Sequence, residues 1–90
     1  MTISIQHDTA LKQFFVNVDG HRCVLDYQWG AGIMTITHTG VPDAVGGRGI
    51  AAALTHAALE HARDSGWKVV PACSYAAAYI RRHPEYQSLL

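Results

Sequence analysis

The residues most suited to chemistry form a loop, Gly46-Gly47-Arg48-Gly49, directly before apolar residues with helical spacing. The start of a helix leaves about four backbone N–H groups without partners, and no Ser, Thr, Asp or Asn stands at this start to cap them. Glycines let phosphate oxygens approach the backbone, and the helix dipole favours their negative charge. Ala51 and Ala52 keep the first turn open, and the Arg48 side chain can add a charged contact. The loop predicts an anion site, with a flexible connector as the alternative.

Two nucleotide-binding patterns fit this loop poorly. A Walker A loop needs Gly-Lys-Ser/Thr, which is absent here. The spacing Gly47-x-Gly49-x-x-Ala52 matches the dinucleotide pattern G-x-G-x-x-A, but that pattern also requires an acidic residue about 20 residues later, where this chain has none. A chain of 90 residues is also too short for the doubly wound sheet that carries the dinucleotide pattern.

Cys73 and His38 are the two candidates for catalytic work. Cys73 is predicted to stand directly before a helix N-terminus, a position that lowers a thiol pKa and favours the thiolate. The alternative is a buried cysteine that acts as a small hydrophobe. His38, near the end of a predicted strand, is a candidate general base, because an imidazole pKa lies near neutrality. The alternative is a histidine hydrogen-bonded to the backbone. If the two side chains touch, they form a nucleophile and its base.

Several other side chains need a structural interpretation before they are given a function. Tyr75 and Tyr79 are one helical turn apart, so they share a face of the last predicted helix. Core packing and contact with a ligand are both consistent with that spacing. Cys23 shares one face of its predicted strand with Leu25, Tyr27 and Trp29 and is predicted to lie in the core. His56 and His61 are predicted to lie near the solvated side of the long helix.

Three strands with tight turns are predicted to form an antiparallel meander that leads to the glycine loop. These strands span Gln13–Val18, His21–Trp29 and Ile33–Thr39. Asp19-Gly20 is a strong hairpin signal, and Gly30-Ala31-Gly32 forms the second turn. In the third strand the alternation places Met34, Ile36 and His38 on one face.

Beyond the loop the hydrophobic period changes from two to that of a helix. The predicted elements are a helix, a strand and a second helix, spanning Gly49–Ser65, Trp67–Val70 and Tyr75–His83. Gly66 ends the first helix, and Ser74 is predicted to cap the second. The tail Glu85–Leu90 is expected to be loosely packed. The order β-β-β-α-β-α predicts an α+β fold, with helices packed on a mostly antiparallel four-stranded sheet.

Composition limits the classes of function. Residues 1–90 are expected to form a single domain, because this length supports one small core. Seven basic and seven acidic residues cancel, which argues against binding to nucleic acid or to an anionic membrane. Two cysteines make no disulfide framework, and their spacing to histidines predicts no metal site. No signal peptide or membrane span is recognised, so a cytoplasmic protein is expected.

The ordered combination of segments resembles the Gcn5-related N-acetyltransferase superfamily, and within it the small members that consist of little beyond the acetyl-CoA-binding core. The resemblance extends from about Phe14 to Tyr86. The segments that carry it are 34–42, then 46–51 with Leu54 behind them, and 70–75 continuing to Tyr79, His83, Pro84 and Glu85.

The resemblance implies how acetyl-CoA is bound. The superfamily's pyrophosphate motif reads Gln/Arg-x-x-Gly-x-Gly/Ala, and Gly49 and Ala51 match its last two positions. Gly46 stands where Gln or Arg is usual, which leaves backbone amides as the main ligands. The implied cofactor-binding residues of this loop are Gly46, Gly47, Arg48, Gly49, Ile50 and Ala51. Pantetheine would lie between the third and fourth strands, which splay apart, and backbone groups near Thr39 and Val41 would bind its amides.

The resemblance also implies roles for the candidate catalytic residues. Small members carry a cysteine at the position of Cys73, close to the thioester, where it either takes the acetyl group or shapes the pocket. Tyr75 or Tyr79 would contact coenzyme A or protonate its leaving thiolate. The implied function is transfer of an acetyl group from acetyl-CoA, as co-substrate, to an amine on a small molecule or protein. Two alternatives stay open: a module that binds coenzyme A without turnover, and a small protein-interaction domain.

Overall fold

In the computed structural model, which describes residues 3–90, five strands form one sheet in the order β1-β2-β3-β4-β5, and two helices pack on one face of it. The strands are β1 (Gln6–Asp8), β2 (Gln13–Val18), β3 (His21–Gly30), β4 (Ile33–Gly40) and β5 (Lys68–Pro71). The helices are α1 (Ile50–Ser65) and α2 (Ser74–Arg82), with 3₁₀ helices at Asp43–Val45 and Pro84–Leu89. The α+β prediction is confirmed.

The meander forms as predicted because its apolar residues alternate along each strand. The buried residues of β2 and β3 are Phe14, Val16, Val18, Cys23, Leu25 and Tyr27, and they share the face that the helices cover. The β2–β3 turn has positive φ at Asp19 (51°) and Gly20 (78°), which is the geometry of a tight hairpin. Cys23 is fully buried, as predicted, and its burial raises the pKa of its thiol.

The prediction of a mostly antiparallel four-stranded sheet needs two corrections. A fifth strand, β1, pairs antiparallel with β2 at the edge of the sheet. It has only three residues, too few for the alternation that identifies a strand. The pairing of β5 with β4 is parallel, since α1 carries the chain back across the sheet between them.

Helix α1 confirms the predicted helical stripe. Its buried residues Ile50, Leu54, Ala58 and Ala62 recur every four positions and face the sheet. Gly66 ends the helix with φ of 74°, and the N–H of Trp67 donates to the carbonyl of Ala62 at 2.8 Å. This is the hydrogen bond of a Schellman ending, which needs a left-handed residue after the helix. No helix among residues 3–90 is long and apolar enough to cross a membrane.

The C-terminal tail is ordered, and the expectation of loose packing was wrong. It forms the 3₁₀ helix that begins at Pro84, and it buries Tyr86 and Leu89 against the core. The Tyr86 hydroxyl donates to Glu60 Oε2 at 2.6 Å. Because that hydroxyl has one proton, the ring Nδ1–H of His56, at 3.0 Å, donates to the phenol oxygen. The tail is thereby attached to the solvent side of α1.

We expect Tyr86→Phe to lower the free energy of unfolding by about 1 kcal/mol, because it removes a hydroxyl bonded to a half-buried carboxylate. Urea denaturation followed by circular dichroism measures the change. Tyr79→Phe is the matched control, since the Tyr79 hydroxyl has no hydrogen bond to residues 3–90 and its loss should cost under about 0.5 kcal/mol. Equal losses in the two variants would contradict the assignment.

Candidate functional site

The glycine loop leaves the N-terminus of α1 open. Gly49 immediately precedes the helix with φ of 76°, and Gly47 has φ of 77°. No side chain within residues 3–90 caps this helix start, and the first helical hydrogen bond runs from Ala53 N–H to Gly49 O at 3.0 Å. The amides that precede Ala53 therefore face outward without the usual cap, which suits an anion.

Space above the loop is free. A β-carbon added at Gly47 or Gly49 would meet nothing within 4 Å, so a ligand could approach both positions closely. A β-carbon added at Gly46 would lie 3.4 Å from the carbonyl oxygen of Asp43, because Gly46 closes the preceding 3₁₀ turn. Residues 46–49 are exposed, whereas the Ile50 side chain is buried in the core. Ile50 can therefore offer a ligand only its backbone.

Arg48 is held by the neighbouring hairpin. Its guanidinium lies 2.7 Å from Asp19 Oδ2 in the β2–β3 turn, and both side chains are well exposed. Sequence reasoning did not foresee this pair, because the two residues are distant in the chain. An exposed ion pair contributes about 0–1 kcal/mol, so a phosphate group could compete with Asp19 for Arg48.

A gap opens between β4 and β5 beside this loop. The two strands pair from Ile33 with Lys68 to Ile36 with Pro71. The contact ends where Cys73 N–H donates to Ile36 O at 2.9 Å, and the chain then turns into α2. Strand β4 continues to Gly40, and beyond Ile36 no strand within residues 3–90 pairs with it on that side. The parting of these strands agrees with the expected splay.

A β-bulge in β4 changes which face His38 occupies. Asp26 pairs with His38 and Tyr27 with Ile36, so Thr37 is the extra residue. Beyond it, a β-carbon on Gly40 would lie 2.9 Å from His38 Nε2 and 3.6 Å from the side chain of Val24, which belongs to the outer face. The prediction that Met34, Ile36 and His38 share one face is therefore wrong for His38, which is exposed on the helix-free side.

Cys73 lies on the opposite, helix-covered side of the same gap. Its Sγ is 3.7 Å from Thr39 Oγ1, and Thr39 pairs with the fully buried Leu25. Residues 38 and 39 of a strand point to opposite faces. The hypothesis that Cys73 and His38 form a contacting nucleophile and base is contradicted, because β4 separates them.

The surroundings of Cys73 favour its thiolate. Burial works to raise the pKa of this thiol, but the nearby amides of Ala76 and Tyr75 and the Thr39 hydroxyl outweigh it, so the pKa is lowered. Cys73, and not Ser74, is the N-cap residue of α2, and no short side-chain cap bond forms there. The sulfur therefore lies near the helix N-terminus without being a full capping ligand.

We expect Cys73 to be alkylated by iodoacetamide with a pH midpoint below that of an ordinary free cysteine, because its lowered pKa lets the thiolate form at lower pH. Peptide mass spectrometry across a pH series separates it from Cys23, which is fully buried and should stay unmodified in the folded protein. Thr39→Val should move the Cys73 midpoint upward, since it removes one hydrogen bond. An unchanged midpoint in that variant would contradict the role of Thr39.

Three of the predicted ligand residues, Val41, Tyr75 and Tyr79, lie outside the glycine loop. Val41 follows β4 and packs partly against the core. Tyr75 is exposed in the first turn of α2. Tyr79 instead stacks on His83, with ring centroids 4.1 Å apart, and on Tyr86. Burial, the neighbouring Tyr75 and two glutamates raise the pKa of Tyr79.

Comparison with known proteins decides the family. A model of the family described as GCN5-related N-acetyl-transferase matches residues 13–89. The chain belongs to the GCN5-related N-acetyltransferase family. It is 39% identical to Protein NATD1 from Gallus gallus, over 97% of this chain and 82% of that protein, and 39% identical to Protein NATD1 from Homo sapiens, over 97% and 80%.

A solved structure supports the fold of this GCN5-related N-acetyltransferase family member. The solution structure of a GCN5-like protein from Staphylococcus aureus superposes with a TM-score of 0.75 at 28% identity, covering 96% of this chain and 85% of that one. The resemblance inferred from the sequence is therefore confirmed at the level of family and fold.

Proposed function

We propose that this protein transfers an acetyl group from acetyl-CoA to an amine. The observation that carries the proposal is the uncapped N-terminus of α1, which opens beside the gap between β4 and β5. Membership of a family described by N-acetyl transfer supports it. Both cysteines are free thiols, so we further propose the reducing cytosol as its compartment.

In the proposed complex, the backbone amides of residues 46–51 hold the pyrophosphate. The open space over Gly47 and Gly49 admits the phosphate oxygens, and Arg48 can leave Asp19 to add a charge-assisted contact. Pantetheine follows the unpaired edge of β4, where backbone groups near Thr39 and Val41 can bind its amides. The thioester then comes close to Cys73.

The amine is proposed to approach from the outer face of the sheet, where His38 is exposed. The amine nitrogen forms a bond to the acetyl carbonyl carbon, and His38 takes the proton that the nitrogen loses. The C–S bond then breaks, and coenzyme A leaves as its thiolate, which takes a proton from water. In this direct transfer the thioester lies near Cys73 on the helix-covered side, and the amine enters beside His38 on the outer face. The route therefore needs no contact between His38 and Cys73.

A covalent route is the second candidate, and the lowered pKa of Cys73 favours it. Here the Cys73 thiolate attacks the thioester, a new C–S bond forms, and coenzyme A thiolate leaves. The amine nitrogen then forms a bond to the acetyl carbonyl carbon and loses a proton to water, while the C–S bond to Cys73 breaks and the Cys73 thiolate is restored. Because the pKa is lowered by amides and the Thr39 hydroxyl, this route needs no adjacent histidine.

An assay of free thiol release tests the proposal. The protein is incubated with acetyl-CoA and a panel of amines, and the expected result is amine-dependent release of coenzyme A. Binding of coenzyme A without release in any amine would favour a non-catalytic binding module. Cys73→Ala separates the routes: direct transfer should keep the rate within about tenfold, whereas the covalent route should lose it and should show acetylated Cys73 by mass spectrometry after acid quenching.

A further inference from the structure

A recess of about 320 Å³ lies at the C-terminal end of α1, away from the glycine loop. Aromatic and imidazole rings form most of its wall, and Lys12 stands beside them; the rings are those of His7, Tyr27, Trp29, His61 and Trp67. Helix α1 has 16 residues and is therefore about 24 Å long. The recess is thus separate from the site proposed for acetyl-CoA.

The rings support one another in a continuous wall. Trp29 and Trp67 lie with centroids 5.5 Å apart, and His61 meets Trp67 edge-on at 5.0 Å. His7 meets His61 edge-on at 4.6 Å, and its Nε2 is 2.7 Å from the Tyr27 hydroxyl. Such edge-on and tilted contacts are favourable aromatic geometries, so the wall exists before any ligand binds.

The recess exists because α1 ends before it covers all of β3. Trp29 follows the buried Tyr27 on the helix-covered face, yet 45% of Trp29 is exposed. The helix stops at Ser65, and the left-handed Gly66 then turns Trp67 back beside Trp29. The exposed Trp29 and the half-buried Trp67 beside it form an apolar surface of the kind that binding sites use.

Charge around the recess favours an anion over a cation. Lys12 carries a full positive charge, and no Asp or Glu is among the described residues that line the recess. The Lys12 backbone is fixed, since its carbonyl accepts a hydrogen bond from Tyr27 N–H at 3.0 Å. Burial lowers the pKa of His7, and the neighbouring His61 lowers it further while Asp8 partly opposes them. A cation held by the rings would be repelled by Lys12.

We propose that this recess binds an aromatic carboxylate, with its ring against Trp29 and Trp67 and its carboxylate paired with Lys12. The volume is at the lower end of the range for small-molecule sites, which suits one ring with a short acidic chain. The occupant does not take part in acetyl transfer, so the proposal is independent of the proposed function.

Three probes with the same phenyl ring and a negative, neutral or positive terminal group test the proposal: 3-phenylpropionate, 3-phenylpropanol and 3-phenylpropylamine. The chain has two tryptophans and both line the recess, so intrinsic tryptophan fluorescence reports on this site alone. We expect the acid to bind about threefold to tenfold more tightly than the amine. The acid gains one exposed ion pair with Lys12, and the amine is repelled by Lys12. Trp29→Ala should lower the affinity for the acid at least about tenfold. In this variant the affinity is measured from the NMR signal of the Trp67 indole Nε1–H.

Lys12→Gln is the second variant, and it should remove the difference between acid and amine while keeping alcohol binding. Lys12 is exposed, so this change should leave the fold intact, which circular dichroism checks for both variants. Gly49→Glu, at the other end of α1, should leave all three affinities unchanged. The proposal would be overturned if the acid did not bind at millimolar concentration, or if the acid and the amine bound the native chain equally well. It would also be overturned if sedimentation showed that dimerisation explains the fluorescence change.

Discussion

Replacement of Gly49 by glutamate is expected to weaken coenzyme A binding at least about 100-fold. The new carboxylate would stand in the open space where the pyrophosphate is proposed to lie. Like charges about 4 Å apart repel by roughly 4 kcal/mol near a protein surface, more than the 2.7 kcal/mol of a 100-fold loss. Isothermal titration calorimetry with coenzyme A measures the effect directly.

The same chain provides a matched control at the other end of α1. Gly66 also has left-handed φ, 74° against 76° at Gly49, and a β-carbon there also meets nothing within 4 Å. Gly66→Glu therefore imposes a similar backbone strain, about 1–2 kcal/mol, on the same helix. We expect it to lower the stability as Gly49→Glu does but to leave coenzyme A binding intact. Equal loss of binding in both variants would mean that helix strain, and not the phosphate site, is responsible.

Replacement of His38 by alanine is expected to lower turnover with an amine about 100-fold to 10,000-fold at neutral pH, the usual contribution of a positioned general base. Coenzyme A binding should stay unchanged, because the His38 side chain lies on the outer face of the sheet, whereas the glycine loop begins the helix that covers the other face. Steady-state kinetics across a pH series, with calorimetry alongside, provides both measurements.

Two control variants separate a base from a structural histidine. His38→Gln keeps a hydrogen-bonding side chain of similar length but cannot take a proton, so it should be as slow as His38→Ala. His21→Ala alters a histidine at the first position of β3, outside the Asp26–His38 pair, and should turn over normally. Recovery of the rate by glutamine would assign His38 a positioning role and contradict the general-base proposal.

Much of the fold was predictable because the buried apolar residues recur at regular intervals along the sequence. Phe14, Val16 and Val18 alternate along β2 with the less buried Phe15 and Asn17, and Leu54, Ala58 and Ala62 recur at helical spacing. These patterns give the meander and α1 to within a residue or two. Short elements carry too few positions to show a period, which is why β1 and the C-terminal 3₁₀ helix were missed.

The candidate site was predictable in part. The loop and its open helix start follow from local sequence, since glycines and missing caps are local features. The bulge at Thr37 does not, because an extra residue in one strand appears only when its partner is known. That one residue moves His38 to the outer face and separates it from Cys73. The contacts of Cys73 with Thr39 and of Arg48 with Asp19 also depend on distant pairing.

The central claim is that coenzyme A binds at the start of α1 and in the gap beside it. A ¹⁵N-labelled sample titrated with coenzyme A and followed by amide chemical shifts tests this most directly. We predict the largest shifts at Gly47, Gly49 and Ala51, with further shifts at Thr39 along the unpaired edge of β4. Absence of saturable shifts, or shifts confined to the distant end of α1 near Trp29, would contradict it.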